Sequence, residues 1–191
     1  MVQTAPASTH AGSQTPARKV VIVGAGFAGL ACARSLADHA QVSVTLVDKN
    51  PYQLFSPLLY QVATGGLPED DIAYPVRAAI QGITFRRGAV IDIDVTNRQV
   101  VLLDGSRLPF DDLVLAVGSQ GTSFGIPGVD EHALQMKSIK ESRAIRQRLL
   151  QAYEDVESGQ VRPEMLGVVV VGGGPTGVEL AGAIAELQKG L

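Results

Sequence analysis

"VVIVGAGFAGLACARSL", residues 20–36, is the stretch on which the reading of the whole chain turns. Val20 to Val23 is an unbroken β-branched run. A strand with no polar alternation is buried on both faces, as the strands of a parallel sheet are. Gly24, Gly26 and Gly29 follow and open a helix predicted from about Gly26 to Asp38. "VSVTLVDKN" then reads as a second strand ending near Asp48, which completes a βαβ unit. In this setting the three glycines have separate tasks: the tight turn, the close approach of backbone to a pyrophosphate, and close packing of helix on strand. The helix start adds free N–H groups and a partial positive charge. Asp48 ends the next strand, where a carboxylate can accept both hydroxyls of a ribose. The unit therefore reads as a dinucleotide-binding fold.

The pattern returns near the other end. "VVVVGGGPTGVEL", residues 168–180, carries Gly172, Gly174 and Gly177. A strand is predicted over Leu166–Val171 and a helix from about Pro175 to Gln188. The acid that would end the following strand falls beyond Leu191, so this unit is expected to be only begun here, and the usual cue for NADH against NADPH is missing with it. On that helix Val178, Leu180, Ala181, Ile184 and Leu187 form an apolar face expected to lie uncovered.

Between the two glycine motifs, "SPLLYQVATGG" predicts a short helix over Pro57–Thr64. Ser56 is the expected N-cap, Pro57 the first helical residue, and Gly65 or Gly66 the stop. A second short helix is expected near Tyr74–Gln81. From Ile83 the period becomes two. Strands are predicted at 83–94, 98–103 and 107–117, turning at "TNRQ" and at Asp104-Gly105. The third ends in "LVLAVG", apolar enough to re-enter the parallel sheet. "SIKESRAIRQRLLQAYEDVES" reads as an amphipathic helix capped by Ser138, with Ile139, Ile145, Leu149 and Tyr153 on its apolar side.

Composition narrows the function. Glycine is high at 21 of 191 residues, against a usual frequency of about 7%, as many strand-to-helix turns require. A net charge of −3 with acids and bases interleaved offers no basic stripe for nucleic acid. Cys32 is the sole cysteine, so an intramolecular disulfide, a redox cysteine pair and a cysteine metal cluster are all ruled out. That usage fits a reducing, cytoplasmic compartment. His10, His39 and His132 have no partner at metal-ligand spacing. Residues 1–18 read as a disordered tail, and no apolar run reaches the ~18 residues of a membrane span.

Taken together, "VVIVGAGFAGL", "DKNPYQLFSPLLYQVATGGL", "LVLAVGS" and "VVVVGGGPTGVELAGAIAEL" resemble the type II NADH:quinone oxidoreductases over about Lys19 to Leu191. The segment "FSPLLYQVATGGL" is the most family-specific part. The glycine motifs are shared with many two-nucleotide flavoproteins. The resemblance implies an α/β chain: a Rossmann-like FAD-binding domain (19–136) with a three-stranded antiparallel β insertion, a linking helix (137–163), and the start of a second Rossmann-like NAD(H)-binding domain (164–191). It implies FAD as cofactor, with NADH and a quinone as reaction partners. Gly24, Gly26, Phe27, Ala28 and Gly29 would hold the FAD pyrophosphate. Asp48 would take the adenosine ribose, with Lys49 beside it. Pro57 and Leu58 would run beside the isoalloxazine, and Val90 would meet the adenine through its backbone.

Ala116, Val117 and Gly118 stand where the family has Ala-Thr-Gly close to the flavin. Val117 replaces the threonine, which puts a hydroxyl hydrogen bond there in question. Gly172, Gly174, Thr176 and Gly177 would hold the NADH pyrophosphate. Glu179 matches a carboxylate near the meeting point of nicotinamide and flavin, in a catalytic or proton-delivery role. Its alternative is a first-turn acid that stabilises a helix start. Family members are longer, so the chain is expected to be an N-terminal piece. Peripheral association with the inner face of the cytoplasmic membrane would belong to a C-terminal region outside it, and a homodimer is compatible with the resemblance. Two other readings remain open: a ferredoxin- or rubredoxin-reductase type of flavoprotein, and a catalytically inactive FAD-binding module.

Overall fold

The computed structural model describes residues 17–190, so the tail expectation for residues 1–16 lies outside the described residues. Arg18, placed in that tail by the sequence reading, instead opens the first strand. Strand β1 (Arg18–Val23) runs into helix α1 (Phe27–Leu36), and β2 (Val42–Asp48) follows. β3 (Tyr52–Leu54), a 3-10 turn at Ser56–Leu58, α2 (Leu59–Thr64), β4 (Ala73–Pro75) and α3 (Val76–Ala79) come next. Then come β5 (Thr84–Arg87), β6 (Val90–Asp94), β7 (Gln99–Leu102), β8 (Arg107–Pro109) and β9 (Asp112–Leu115). Helices α4 (Val129–His132), α5 (Ile139–Glu157) and α6 (Pro175–Gly190) complete the order.

The main sheet has the order β5-β2-β1-β9, and every pairing in it is parallel. β1 lies inside it, and alternate residues of β1 serve different cores. Val20 and Ile22 pack with Leu30 and Ala33 of α1, Val44, Leu46, Val76 and Phe85. Val21 and Val23 pack with Val47 and with Val100 and Leu102 of the second sheet. Both faces are covered, which is why the run carries no polar residue. That second sheet, β6-β7-β8, is antiparallel.

Two predicted strands turn out to serve both sheets. The run 83–94 breaks at Gly88 into β5, in the parallel sheet, and β6, in the antiparallel one. The run 107–117 divides in the same way into β8 and β9, so "LVLAVG" does re-enter the parallel sheet. The hairpin turns are held as their sequences suggest. Asp94 accepts from the Asn97 backbone N–H at 2.9 Å, and Gly105 has φ +82°.

The short helices depart from expectation in detail. Residues 56–58 form a 3-10 turn before α2, and Phe55 precedes it. Ser56 therefore lies inside the turn and makes no capping bond. Pro57 suits this position because its missing N–H has no partner to lose at a helix start. Gly65 stops α2 with φ +79°. The helix expected at Tyr74–Gln81 shrinks to α3, because Ala73–Pro75 pairs as β4 with β3. On α5, Ser138 caps as predicted, accepting from the Glu141 N–H at 3.3 Å. Ile139 and Leu149 are buried there. Helix α2 packs against both α5 and α6.

The largest departure is Leu166–Val171. No strand forms there, and among the described residues nothing pairs with it. Val169 is 86% exposed and Val171 56%. A strand exists only through a ladder to a neighbour, and among the described residues no strand lies beside it. An open groove of about 910 Å³ runs between this segment, α5 and α6, and Leu149, Val170, Leu180 and Ile184 are among its walls. On α6, Val178 is 65% exposed, whereas Leu180, Ile184 and Leu187 are half-buried and Ala183 is buried.

Candidate functional site

The chain leaves β1 towards β2 on one side and returns as β9 on the other, so the strand order reverses at β1. Ligands of open α/β sheets bind at the carboxyl ends of the strands at such a point. Here that place is filled by the turn Gly24–Gly26. The three glycines separate by what surrounds them. A Cβ on Gly24 would lie 2.2 Å from the Ala116 carbonyl oxygen, and its φ is +104°. A Cβ on Gly29 would lie 1.8 Å from the Gly24 carbonyl oxygen. Packing within the protein thus demands both. A Cβ on Gly26 would meet nothing within 4 Å, and its φ of −76° and ψ of −166° suit any residue. Among the described residues nothing requires glycine there, and the position is open to a ligand approaching the backbone.

Gly26 is the N-cap of α1 and has no side chain to cap with; the first intrahelical bond runs from the Leu30 N–H to the Gly26 carbonyl at 3.0 Å. The N–H groups of Phe27, Ala28 and Gly29 therefore precede it and have no helical acceptor. Asp48 lies at the side of this cradle. One carboxylate oxygen accepts from the Ala25 N–H at 2.7 Å, the other from the Asn50 N–H at 2.7 Å. The acid thus braces the loop itself. Each oxygen can accept more than one bond, so the carboxylate can take ribose hydroxyls while holding the loop. This donor set and the open position at Gly26 fit the diphosphate and ribose of a dinucleotide.

The remaining expected residues fall around this centre. The Ala116 N–H donates to the Val23 carbonyl at 2.8 Å, and Val117 and Gly118 continue beyond β9, both exposed. Lys49 is exposed just past β2, and its carbonyl accepts from Arg87 Nε at 3.4 Å. Val90 opens β6, two residues after Gly88, whose N–H donates to the Asp48 carbonyl at 2.8 Å. Pro57 is exposed in the 3-10 turn, and Leu58 packs partly against the cluster of Leu59, Val62, Ile72 and Ile139. Sequence reasoning passed over Phe55. Its ring meets Phe27 edge-on, with centroids 5.4 Å apart and planes at 84°. The only signal in the sequence is an apolar residue flanking "SPLLY", which periodicity does not single out.

The second glycine set repeats the local geometry of the first. Gly172 has φ +116°, and a Cβ on Gly177 would lie 2.0 Å from the Gly172 carbonyl oxygen. Gly174 is open like Gly26, and the Val178 N–H donates to its carbonyl at 3.1 Å. The difference is at Gly172, where a Cβ would meet nothing within 4 Å, whereas Ala116 crowds Gly24. Thr176 is exposed on the first turn of α6. Glu179 is exposed and lies beyond that turn, which holds no acid. The helix-start role considered for Glu179 is thereby weakened, since that effect fades within the first turn. Among the described residues no group of His, Cys, Asp or Glu is arranged to hold a metal ion, and no helix is long and apolar enough to cross a membrane.

Comparison with known proteins agrees with this construction. The pyridine nucleotide-disulphide oxidoreductase family matches residues 18–190. The chain belongs to that family. It is 41% identical to the type II NADH:quinone oxidoreductase Ndh of Mycobacterium tuberculosis, over 93% of this chain and 40% of that protein. It is 42% identical to NdhA of the same organism, over 90% of this chain and 38% of that protein. Among solved structures, NDH2 of Plasmodium falciparum in complex with NADH superimposes with a TM-score of 0.78 at 28% identity, covering 90% of this chain and 37% of that one. This member of the pyridine nucleotide-disulphide oxidoreductases thus spans about two fifths of the length of the curated relatives it matches.

Proposed function

We propose that this chain carries the FAD site, and the first part of the NADH site, of a type II NADH:quinone oxidoreductase. The observation that supports this most directly is the pair of glycine cradles that share a first glycine at positive φ, an open middle glycine, and a third glycine whose Cβ would strike the first one's carbonyl oxygen. The helix of the second packs on α2, which directly follows Pro57 and Leu58. In this reading residues 19–136 form the FAD unit, 137–163 link, and 164–191 begin the NAD(H) unit. The chemistry supplied by a bound flavin is acceptance of a hydride from NADH and return of two electrons to a quinone.

The protein's part is binding and orientation. Gly24, Gly26, Phe27, Ala28 and Gly29 hold the pyrophosphate, Asp48 the ribose with Lys49 beside it, and Val90 the adenine. Pro57, Leu58 and the Ala116–Gly118 strand end border the ring. Gly172, Gly174, Thr176 and Gly177 receive the NADH pyrophosphate. Glu179, exposed and outside the first turn of its helix, is free to serve the nicotinamide or a proton transfer. Membrane association at the inner face of a cytoplasmic membrane, and any homodimer, belong to the whole protein.

The test is spectroscopic. The purified chain is loaded with FAD and titrated anaerobically with NADH. Bleaching of the flavin's visible band supports an NADH-reducible centre. Retained colour without bleaching would leave an FAD-binding module and remove the oxidoreductase reading for this chain. Because Leu166–Val171 pairs with no strand among the described residues and Val169 stands 86% exposed, that second outcome is the specific alternative.

A further inference from the structure

We propose that Phe55 is a positioning residue that latches the 55–64 segment onto the pyrophosphate loop, so that the two ends of the dinucleotide site are joined before any ligand arrives. The inference rests on the FAD reading above and adds a residue and a device to it.

Phe55 follows β3 with its backbone fixed on both sides. Its N–H donates to the Ile72 carbonyl at 2.8 Å, and its carbonyl accepts from the Leu58 N–H at 3.2 Å. An apolar cluster of Leu59, Val62, Ile72 and Ile139 lies beside it, with Tyr52, Leu54 and Leu58 packed against that cluster. The Phe55 ring does not join it. It turns to Phe27, the first residue of α1 and the neighbour of Gly26, and meets that ring edge-to-face. Both rings remain about half exposed, Phe27 at 49% and Phe55 at 45%. Burial in the core therefore does not account for the arrangement. Its geometry is the favourable one for two aromatic quadrupoles.

The contact spans two regions that are distant in sequence. Phe27 sits in the cradle, while Phe55 lies two residues before Pro57 and three before Leu58. The Leu58–Phe55 hydrogen bond passes the restraint on to the 3-10 turn. A segment held in place in the free protein loses no further freedom on binding, and preorganisation of this kind appears as affinity and slower release. The half-exposed rings also leave apolar surface at the mouth of the cradle for a bound dinucleotide to cover.

The experiment compares FAD binding to the full chain with Phe55→Leu, Phe55→Tyr, Phe27→Leu and the double leucine variant, by quenching of flavin fluorescence, alongside ligand-free thermal melts. Phe55→Leu should raise Kd roughly three- to tenfold and speed flavin release, with a modest drop in the ligand-free melt because the contact is already made in the free chain. Phe55→Tyr keeps the ring edge and should restore binding. The double variant should be no weaker than the weaker single, because both remove one contact. A Phe55→Leu Kd within about twofold of the parent, or additive losses in the double variant, would overturn the latch while leaving the FAD reading intact. A parent chain that binds no FAD would overturn both.

Discussion

Alanine at Gly26 and at Gly29 should separate a glycine kept for a ligand from one kept for the fold. At Gly29 the new methyl would sit 1.8 Å from a backbone oxygen of Gly24. Backbone cannot rotate away as a side-chain tip can, so α1 must lift from the loop, at about 3 kcal/mol or more, the upper end of overpacking costs. Gly26→Ala meets nothing within 4 Å. Two small terms then oppose each other. Alanine is a poorer N-cap than glycine, by a few tenths to about 1 kcal/mol, and it restricts the unfolded chain, worth about 0.4–1 kcal/mol in favour of folding. Their sum lies within about 1 kcal/mol of zero. Against a pyrophosphate the same methyl is an overpacked contact of about 1–3 kcal/mol, or roughly 5- to 150-fold in Kd. Urea unfolding of the ligand-free variants and flavin titration supply both numbers. If Gly26→Ala destabilises the free chain as Gly29→Ala does, or binds FAD as the parent does, the assignment of Gly26 to a ligand is wrong.

Asp48→Ala leaves the Ala25 and Asn50 N–H groups without their acceptor. It should cost about 1–3 kcal/mol of stability in urea unfolding even without ligand, unlike a residue that only touches ribose. Ser142 on α5 is fully buried, and its hydroxyl has no hydrogen-bond partner among the described residues, so Ser142→Ala should leave the melting temperature unchanged or raise it. The Arg18 hydrogen bond holds the Asp112 carboxyl below the ordinary carboxylate range, Ser106 does the same for Asp104, and Arg143 for Glu69. Groups depressed on folding stabilise above their unfolded pKa and lose that contribution as pH falls through the folded value, so melting temperature should be flat above about pH 5 and fall below it, modestly because these pairs are exposed. Glu179→Gln should leave stability unchanged, since the residue is exposed, but slow anaerobic reduction of bound flavin by NADH; equal rates across pH would exclude a chemical role.

Much of this was legible in the sequence, because the decisive signals were local. The β-branched run at Val20–Val23, its glycines and Asp48 fixed a strand, a turn, a helix and the next strand, and those contacts all lie within one βαβ unit. The split of 83–94 and 107–117 between two sheets was harder to see. Both halves alternate with the same period, and the joints show only in the hydrogen bonds: Gly88 N–H to Asp48 and Leu103 N–H to Ala89 in one run, Phe110 N–H to Arg98 and Asp111 N–H to Lys19 in the other. Leu166–Val171 reads as a strand because composition reports the tendency to be buried, not whether a partner is present. The Phe27–Phe55 contact joins residues 28 positions apart across two elements, and no periodicity carries that information. Asp48 was rightly picked out as an acid at a strand end, but its grip on the Ala25 N–H depends on the fold of the loop.

The most direct test of the central claim is the stoichiometry of flavin bound by the purified chain, read from its visible absorption after removal of free FAD, for the parent and for Gly26→Ala. One saturable FAD per chain, lost or markedly weakened in Gly26→Ala while its unfolding curve matches the parent's, is the predicted result. No retained flavin in a folded parent chain, or flavin retained equally by both, would contradict it.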